Sequence, residues 1–145
     1  MLERLLITAL LIGIGLAVYV AISRWQLHRA GLASGSLTTS QPGSYRILYF
    51  TTPTCSVCKT VQSPALQSLQ SQFGGDLEVI TVDSTEQPDL ADRWQVMTVP
   101  TTFILDRNNT PRICNNGLAN REKLIKQLAE IGLTMPSSSE TLAAA

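Results

Sequence analysis

The sequence predicts an α/β domain, a mixed four-stranded sheet flanked by helices in the order β-α-β-α-β-β-α, preceded by one N-terminal transmembrane helix. Three observations predict it. Residues 5–23 carry no charge, and strand-like and helix-like apolar periods alternate from 45 to 133. A Cys-x-x-Cys pair, Cys55 and Cys58, stands where the first of those strands gives way to the first long helix. Together they divide the 145 residues into an anchor over 1–29, a flexible linker over 30–44, one compact domain over 45–133 and a disordered tail over 134–145.

Composition narrows the function before any motif is read. The 11 Lys+Arg balance the 11 Asp+Glu, so no basic excess exists to neutralise a phosphate backbone, which excludes an ordinary nucleic-acid binder. Three cysteines are too few for a small disulfide scaffold and leave one over. A single histidine gives a metal cage or a Ser-His site little to work with.

The anchor comes first. A 19-residue charge-free helix is about 28 Å long, close to the thickness of a bilayer's hydrocarbon core. Gly13 and Gly15 are tolerated in lipid, and Trp25 beside Arg24, His28 and Arg29 reads as an interfacial anchor. A cleaved signal peptide would have a core of about 7–15 residues and a small-x-small site clear of charge. Here Ala21-Ile22-Ser23 runs straight into Arg24. Arg4 precedes the span while Arg24 and Arg29 follow it, a margin of one that leans the C-terminal domain towards the cytoplasm and leaves the opposite orientation open. The Gly/Ser/Thr mixture after Ala30, with Pro42, has no apolar period and reads as the linker.

Within the domain, residues 45–50 are rich in aromatic and β-branched side chains and almost wholly apolar after Arg46, the mark of a strand buried on both sides. Thr51-Thr52-Pro53-Thr54 breaks it. Val61, Ala65, Leu69 and Phe73 then form one helical stripe, which Pro64 should kink and Gly74-Gly75 should end. Residues 77–82 are the second strand, parallel to the first through a right-handed crossover. Ser84 and Gln87 resemble a capping box opening a short helix that runs through Leu90 to Trp94. Strands at 101–105 and 111–114 form a hairpin around the turn 106–109, and Asn120 caps a last helix that buries Leu124, Leu128 and Ile131.

The cysteine pair carries the chemistry. At a helix start the first sulfur lies beside free backbone N–H groups and the positive end of the helix dipole, and Lys59 adds a positive charge. These favour thiolate over thiol. One helical turn brings Cys58 back to Cys55, so the pair can close a short disulfide. Cys55 is then the nucleophile that forms a mixed disulfide with a substrate, and Cys58 resolves it. The pair as half of a zinc site lacks partners, since the remaining candidates are Cys114, far along the chain, and His28, at the membrane anchor. Two inert buried cysteines belong in an apolar run, not in Thr-Pro-Thr-Cys-Ser-Val-Cys-Lys. Cys114 reads as a lone structural thiol, and Asp83 as a strand-end turn residue.

The run Tyr49 to Lys59 (YFTTPTCSVCK), Val82-Asp83, Val99-Pro100-Thr101 and Gly117 resemble the thioredoxin family over about residues 45–131. The resemblance implies a thioredoxin-like fold, a cis peptide bond before Pro100 packed on the cysteines, and a substrate chain held by the Val99 backbone. It also implies electron transfer through the Cys55–Cys58 disulfide with no organic cofactor or metal. The partners it implies are protein thiols or disulfides near the membrane and a redox donor or acceptor that the sequence does not name. Lys59, Tyr49 and Trp94 support the site, Trp94 as a core or groove-wall residue near Pro100. Four departures stand out: Ser56-Val57 between the cysteines, Thr54 in place of the usual Trp, Tyr49 in place of a buried Asp, and a linker and anchor in place of an N-terminal strand and helix. The expected function is a membrane-tethered thiol–disulfide oxidoreductase, reductant or oxidant. The rivals are a binding or redox-sensing module with little turnover, motivated by Tyr49, and metal delivery through the two cysteines.

Overall fold

Residues 45–51 form the central strand because nearly every side chain there has somewhere apolar to go. In the computed structural model, which describes residues 2–33 and 43–134, β1 (Tyr45–Thr51) is buried from Tyr45 to Phe50. Around it run α1 (Leu2–Ala33), α2 (Ser63–Phe73), β2 (Leu77–Asp83), α3 (Pro88–Arg93), β3 (Thr101–Leu105), β4 (Pro111–Asn116) and α4 (Arg121–Glu130). The sheet order is β2-β1-β3-β4. β1 pairs parallel with β2 and antiparallel with β3, and β3–β4 is the antiparallel hairpin. From β1 onward this is the expected element order.

Alternation along β1 sends Ile47 and Tyr49 to one face and Leu48 and Phe50 to the other. The first face packs against Leu66, Leu69 and Phe73 of α2 and Leu124 and Leu128 of α4, with Cys58 fully buried among them. The second holds Val82, Ala91, Trp94, Phe103 and Leu105. Arg46 is buried in the sheet at 1% exposure and is satisfied there: its Nε donates to Glu78 at 2.7 Å, and its guanidinium also donates to Asn109.

Three local expectations are corrected. The buried stripe runs from Gln62, at the end of a π-turn over Cys58–Gln62, through Leu66, Leu69 and Phe73 of α2, and not through Val61 and Ala65. That wider turn lies where the Pro64 ring would meet the Thr60 carbonyl, and it rotates the buried face by about one residue. Secondly, α3 starts at Pro88 with Gln87 at its cap and no side-chain cap bond, so the Ser84 capping box does not form. Asp83 competes for that turn: its carboxylate accepts from the Thr85 amide at 2.8 Å and hydroxyl at 2.6 Å. These bonds, the hydroxyl foremost, hold its carboxyl below the usual value. Thirdly, α1 extends to Ala33, so residues 30–33 of the expected linker are helical; residues 34–42, and the tail from 135 on, lie outside the described residues. The Asn120 cap does form, accepting from the Lys123 amide at 3.0 Å.

At the N-terminus, the described side chains of α1 from Ile7 to Ile22 are exposed. Among the described residues no helix is long and apolar enough to cross a membrane, so the fold itself lends the expected span no support.

Candidate functional site: a disulfide at a helix start

Chain direction builds the site. β1 ends at Thr51, and the Thr52–Thr54 turn closes with the Cys55 amide donating to the Thr52 carbonyl at 3.2 Å. The helix begins immediately after Cys55 and continues through the π-turn into α2. Cys55 therefore stands at the helix mouth, partly buried, and Cys58 one turn inside it is fully buried. The two form a disulfide with an S–S distance of 2.09 Å and Cα atoms 5.3 Å apart. The Cys58 amide donates to Cys55 Sγ at 3.2 Å. An N–H aimed at that sulfur, together with the helix dipole, stabilises negative charge on it. Lys59 is exposed beside the pair.

Tyr49 lies directly beneath. It is 1% exposed, and its hydroxyl donates to the Cys58 carbonyl at 3.3 Å and lies 3.4 Å from Ser63 Oγ. The aromatic ring fills the core while the hydroxyl ties β1 to the π-turn. The Val99–Pro100 peptide bond is cis. Val99 and Cys55 pack against the same apolar cluster, and Pro100 is buried.

Trp94 is placed elsewhere. It is fully buried in the aromatic cluster on the second face, 4.9 Å from Phe103 and 6.4 Å from Phe50 between ring centroids. The sheet separates it from the cluster that holds Cys58, Cys55 and Val99, so it lines no groove at Pro100. The physical reason is the register of the chain: α3 crosses the face opposite α2, and Trp94 caps its end.

Gln62 had no signal in the sequence, where it reads as one polar residue on a helix. It is fully buried, donating to the Ala119 carbonyl at 3.1 Å and accepting from the Ala119 amide at 2.9 Å. A second tie runs from the Gly117 amide to the Pro100 carbonyl at 2.8 Å. The helix mouth, the Pro100 loop and the loop before α4 are thus locked together. Cys114, the remaining cysteine, lies on β4 against the second cluster; burial pushes its thiol up to about 12. Among the described residues no group of three or more His, Cys, Asp or Glu side chains is placed to hold a metal.

A four-stranded mixed sheet with a Cys-x-x-Cys disulfide at a helix start and a cis-proline just before β3 defines a thioredoxin-like protein. Residues 38–130 match the Thioredoxin family model, and the chain belongs to that family. It is 32% identical over 56 residues to thioredoxin of Bacillus subtilis, covering 39% of this chain and 53% of that protein. It is 40% identical over 50 residues to thioredoxin 1 of Chlorobaculum tepidum, covering 34% of this chain and 48% of that one. The chain thus spans about half the length of the curated relatives it matches. Among solved structures it resembles thioredoxin-2 of the malaria parasite with a TM-score of 0.57 and 25% identity, over 60% of this chain and 82% of that one.

Proposed function

We propose that this protein is a membrane-tethered thiol–disulfide oxidoreductase that exchanges protein disulfides through Cys55 and Cys58. The observation that carries the reading is the asymmetry of the pair: a part-exposed sulfur at a helix mouth, bonded to a fully buried one. In the reduced protein the Cys55 thiolate attacks one sulfur of a substrate disulfide. That S–S bond breaks, a mixed disulfide forms, and one substrate thiolate leaves and takes a proton from water. Cys58 then loses its proton to solvent and attacks Cys55 Sγ. The mixed disulfide breaks, the second substrate thiolate leaves, and the Cys55–Cys58 bond forms. Two electrons have passed to the substrate. The reverse sequence oxidises a substrate dithiol, and the potential of the pair against its surroundings sets the direction. The Val99 backbone, beside Pro100, holds the substrate as an added strand, and a second dithiol or disulfide partner resets the pair.

The tether is supported by the charge-free run over 5–23 of the sequence. The arginine count leans the domain towards the cytoplasm, which a reporter fused at the C-terminus tests.

Redox titration of the full chain against glutathione tests activity and direction together. A two-electron transition absent from Cys55→Ser is expected; identical titrations of the two would remove the proposal. One observation favours a second reading, a thioredoxin-fold binding or redox-sensing module with little turnover: a phenol, not a carboxylate, stands beneath Cys58. A chain that closes the disulfide yet reduces insulin no faster than Cys55→Ser is that module.

A further inference from the structure

We infer that Gln62 is a positioning residue for disulfide exchange, fixing the Val99–Pro100 segment relative to the cysteine pair through the loop before α4. The inference rests on the oxidoreductase reading and deepens it by a residue that acts through others. Gln62 ends the π-turn that Cys58 begins, on the buried stripe that Leu66, Leu69 and Phe73 continue. An apolar side chain would fill that place without taking an amide out of water, a step that costs free energy unless both ends of the amide are bonded. Both are. Its Nε2 donates to the Ala119 carbonyl and its Oε1 accepts from the Ala119 amide. Ala119 is itself fully buried, and no backbone group of the described residues pairs with either of its polar atoms. The Gln62 side chain thus does for Ala119 what a neighbouring strand would do.

From Ala119 the constraint passes to the site. Just before it in the chain, the Gly117 amide donates to the Pro100 carbonyl at 2.8 Å. Pro100 leads into β3, where Thr101 pairs with Phe50 of β1. β1 in turn ends at Thr51, before the turn that carries Cys55. These links close a ring. It runs from Cys58 to Gln62 along the π-turn, on to Ala119, through Leu118 to Gly117, across to Pro100 and Thr101, and back by Phe50 to Cys55. Within the ring Pro100 is held from two sides, by the sheet and by the helix that carries the disulfide. Cut at Gln62, the ring leaves Pro100 on the sheet alone, and residues 117–119 no longer follow the helix. A misplacement of about 1 Å, even from a change remote from the reacting atoms, can cost about 100-fold in rate.

The test uses the full chain in detergent and two reagents: a synthetic peptide disulfide, which must dock beside Pro100, and iodoacetamide, which needs only the Cys55 thiolate. Gln62→Met and Gln62→Leu both remove the two bonds but differ in shape, so either one that folds serves. Urea midpoints establish folding. We expect kcat/KM on the peptide to fall about tenfold in these variants while alkylation of Cys55 stays within about twofold. Leu105→Ala, buried on the other face of the sheet, destabilises the chain without touching the ring and should keep both rates. In a Pro100→Ala background, where the segment has already lost its geometry, Gln62→Met should add less than about twofold. An unchanged peptide rate in a folded Gln62 variant would overturn the inference, and so would an equal loss in Leu105→Ala, which assigns the effect to general softening. Alkylation that slows in parallel with the peptide would do the same by placing the effect at the sulfur, as would full additivity with Pro100→Ala. If the unsubstituted chain reduces the peptide no faster than Cys55→Ser, it is the oxidoreductase reading itself that goes.

Discussion

The two faces of the sheet are made from alternate residues of the same strands, yet only one of them is built for chemistry. The face under α2 and α4 buries polar groups at planned places: the Tyr49 hydroxyl on the Cys58 carbonyl and the Gln62 amide on both polar atoms of Ala119. The face under α3 is an aromatic cluster in which Phe50, Trp94 and Phe103 meet at centroid distances of 4.9–6.4 Å. Each face also holds a cysteine. Cys58 is the more deeply buried, yet it belongs to the redox disulfide; Cys114 is only half-buried, yet desolvation keeps it a thiol. Burial alone therefore does not decide cysteine chemistry. What decides it is whether backbone N–H groups and a partner sulfur lie beside the thiol, as they do at the helix mouth.

The largest expected effect separates the cysteines. Cys55→Ser should abolish disulfide exchange, while Cys114→Ser should leave it within about twofold, read by insulin reduction. A collapse of activity in Cys114→Ser would break the contrast between the faces. Next, Trp94→Ala should cost about 3–5 kcal/mol of stability in urea unfolding while the remaining folded protein reduces substrate normally. Loss of catalysis without loss of stability would return Trp94 to the site. Gln62→Leu leaves the buried amide and carbonyl of Ala119 unpaired and should cost about 2–4 kcal/mol; a neutral result would mean that the Ala119 loop finds other partners.

Tyr49→Phe keeps the ring and removes one hydroxyl, so about 1 kcal/mol is expected by the same unfolding measurement. If turnover fell by much more than that loss explains, the hydroxyl would take part in the exchange itself. The smallest effect concerns pH. Burial raises the Cys114 thiol from 9.0 to about 12, so the folded state holds its proton where the unfolded chain has released it. The stabilisation is complete below about pH 9 and lost as pH climbs towards about 12. At pH 8, iodoacetamide should label Cys55 in the reduced protein and spare Cys114, as mass spectrometry would show.

Much of this was legible because it rests on local chemistry. Residues 47–50 are apolar on both faces, which only a central strand satisfies, and Asn120 caps α4 through its own side chain. Cys-x-x-Cys at a strand-to-helix junction is equally local. The misreadings share a different cause. The α2 stripe was displaced because a π-turn depends on how Pro64 is accommodated, and the Ser84 cap failed because Asp83 bonds Thr85 first. Of the two places open to Trp94, core or groove wall near Pro100, the structure takes the core, and the sequence leaves the choice open because distance from Pro100 along the chain says nothing about which side of the sheet a short helix crosses.

The sequence by itself determined the element order of the domain, the central strand and the reactive pair, since each follows from side-chain period or from the helix start that flanks it. Only the tertiary structure decided which face of the sheet carries the disulfide, what stands beneath Cys58 and which loops are tied to the π-turn that follows it. Those contacts join residues far apart in the chain: Gln62 to Ala119, Gly117 to Pro100, Tyr49 to the π-turn. A buried amide or phenol gains its meaning from the partner it meets, and that partner exists only once the sheet has brought the segments together.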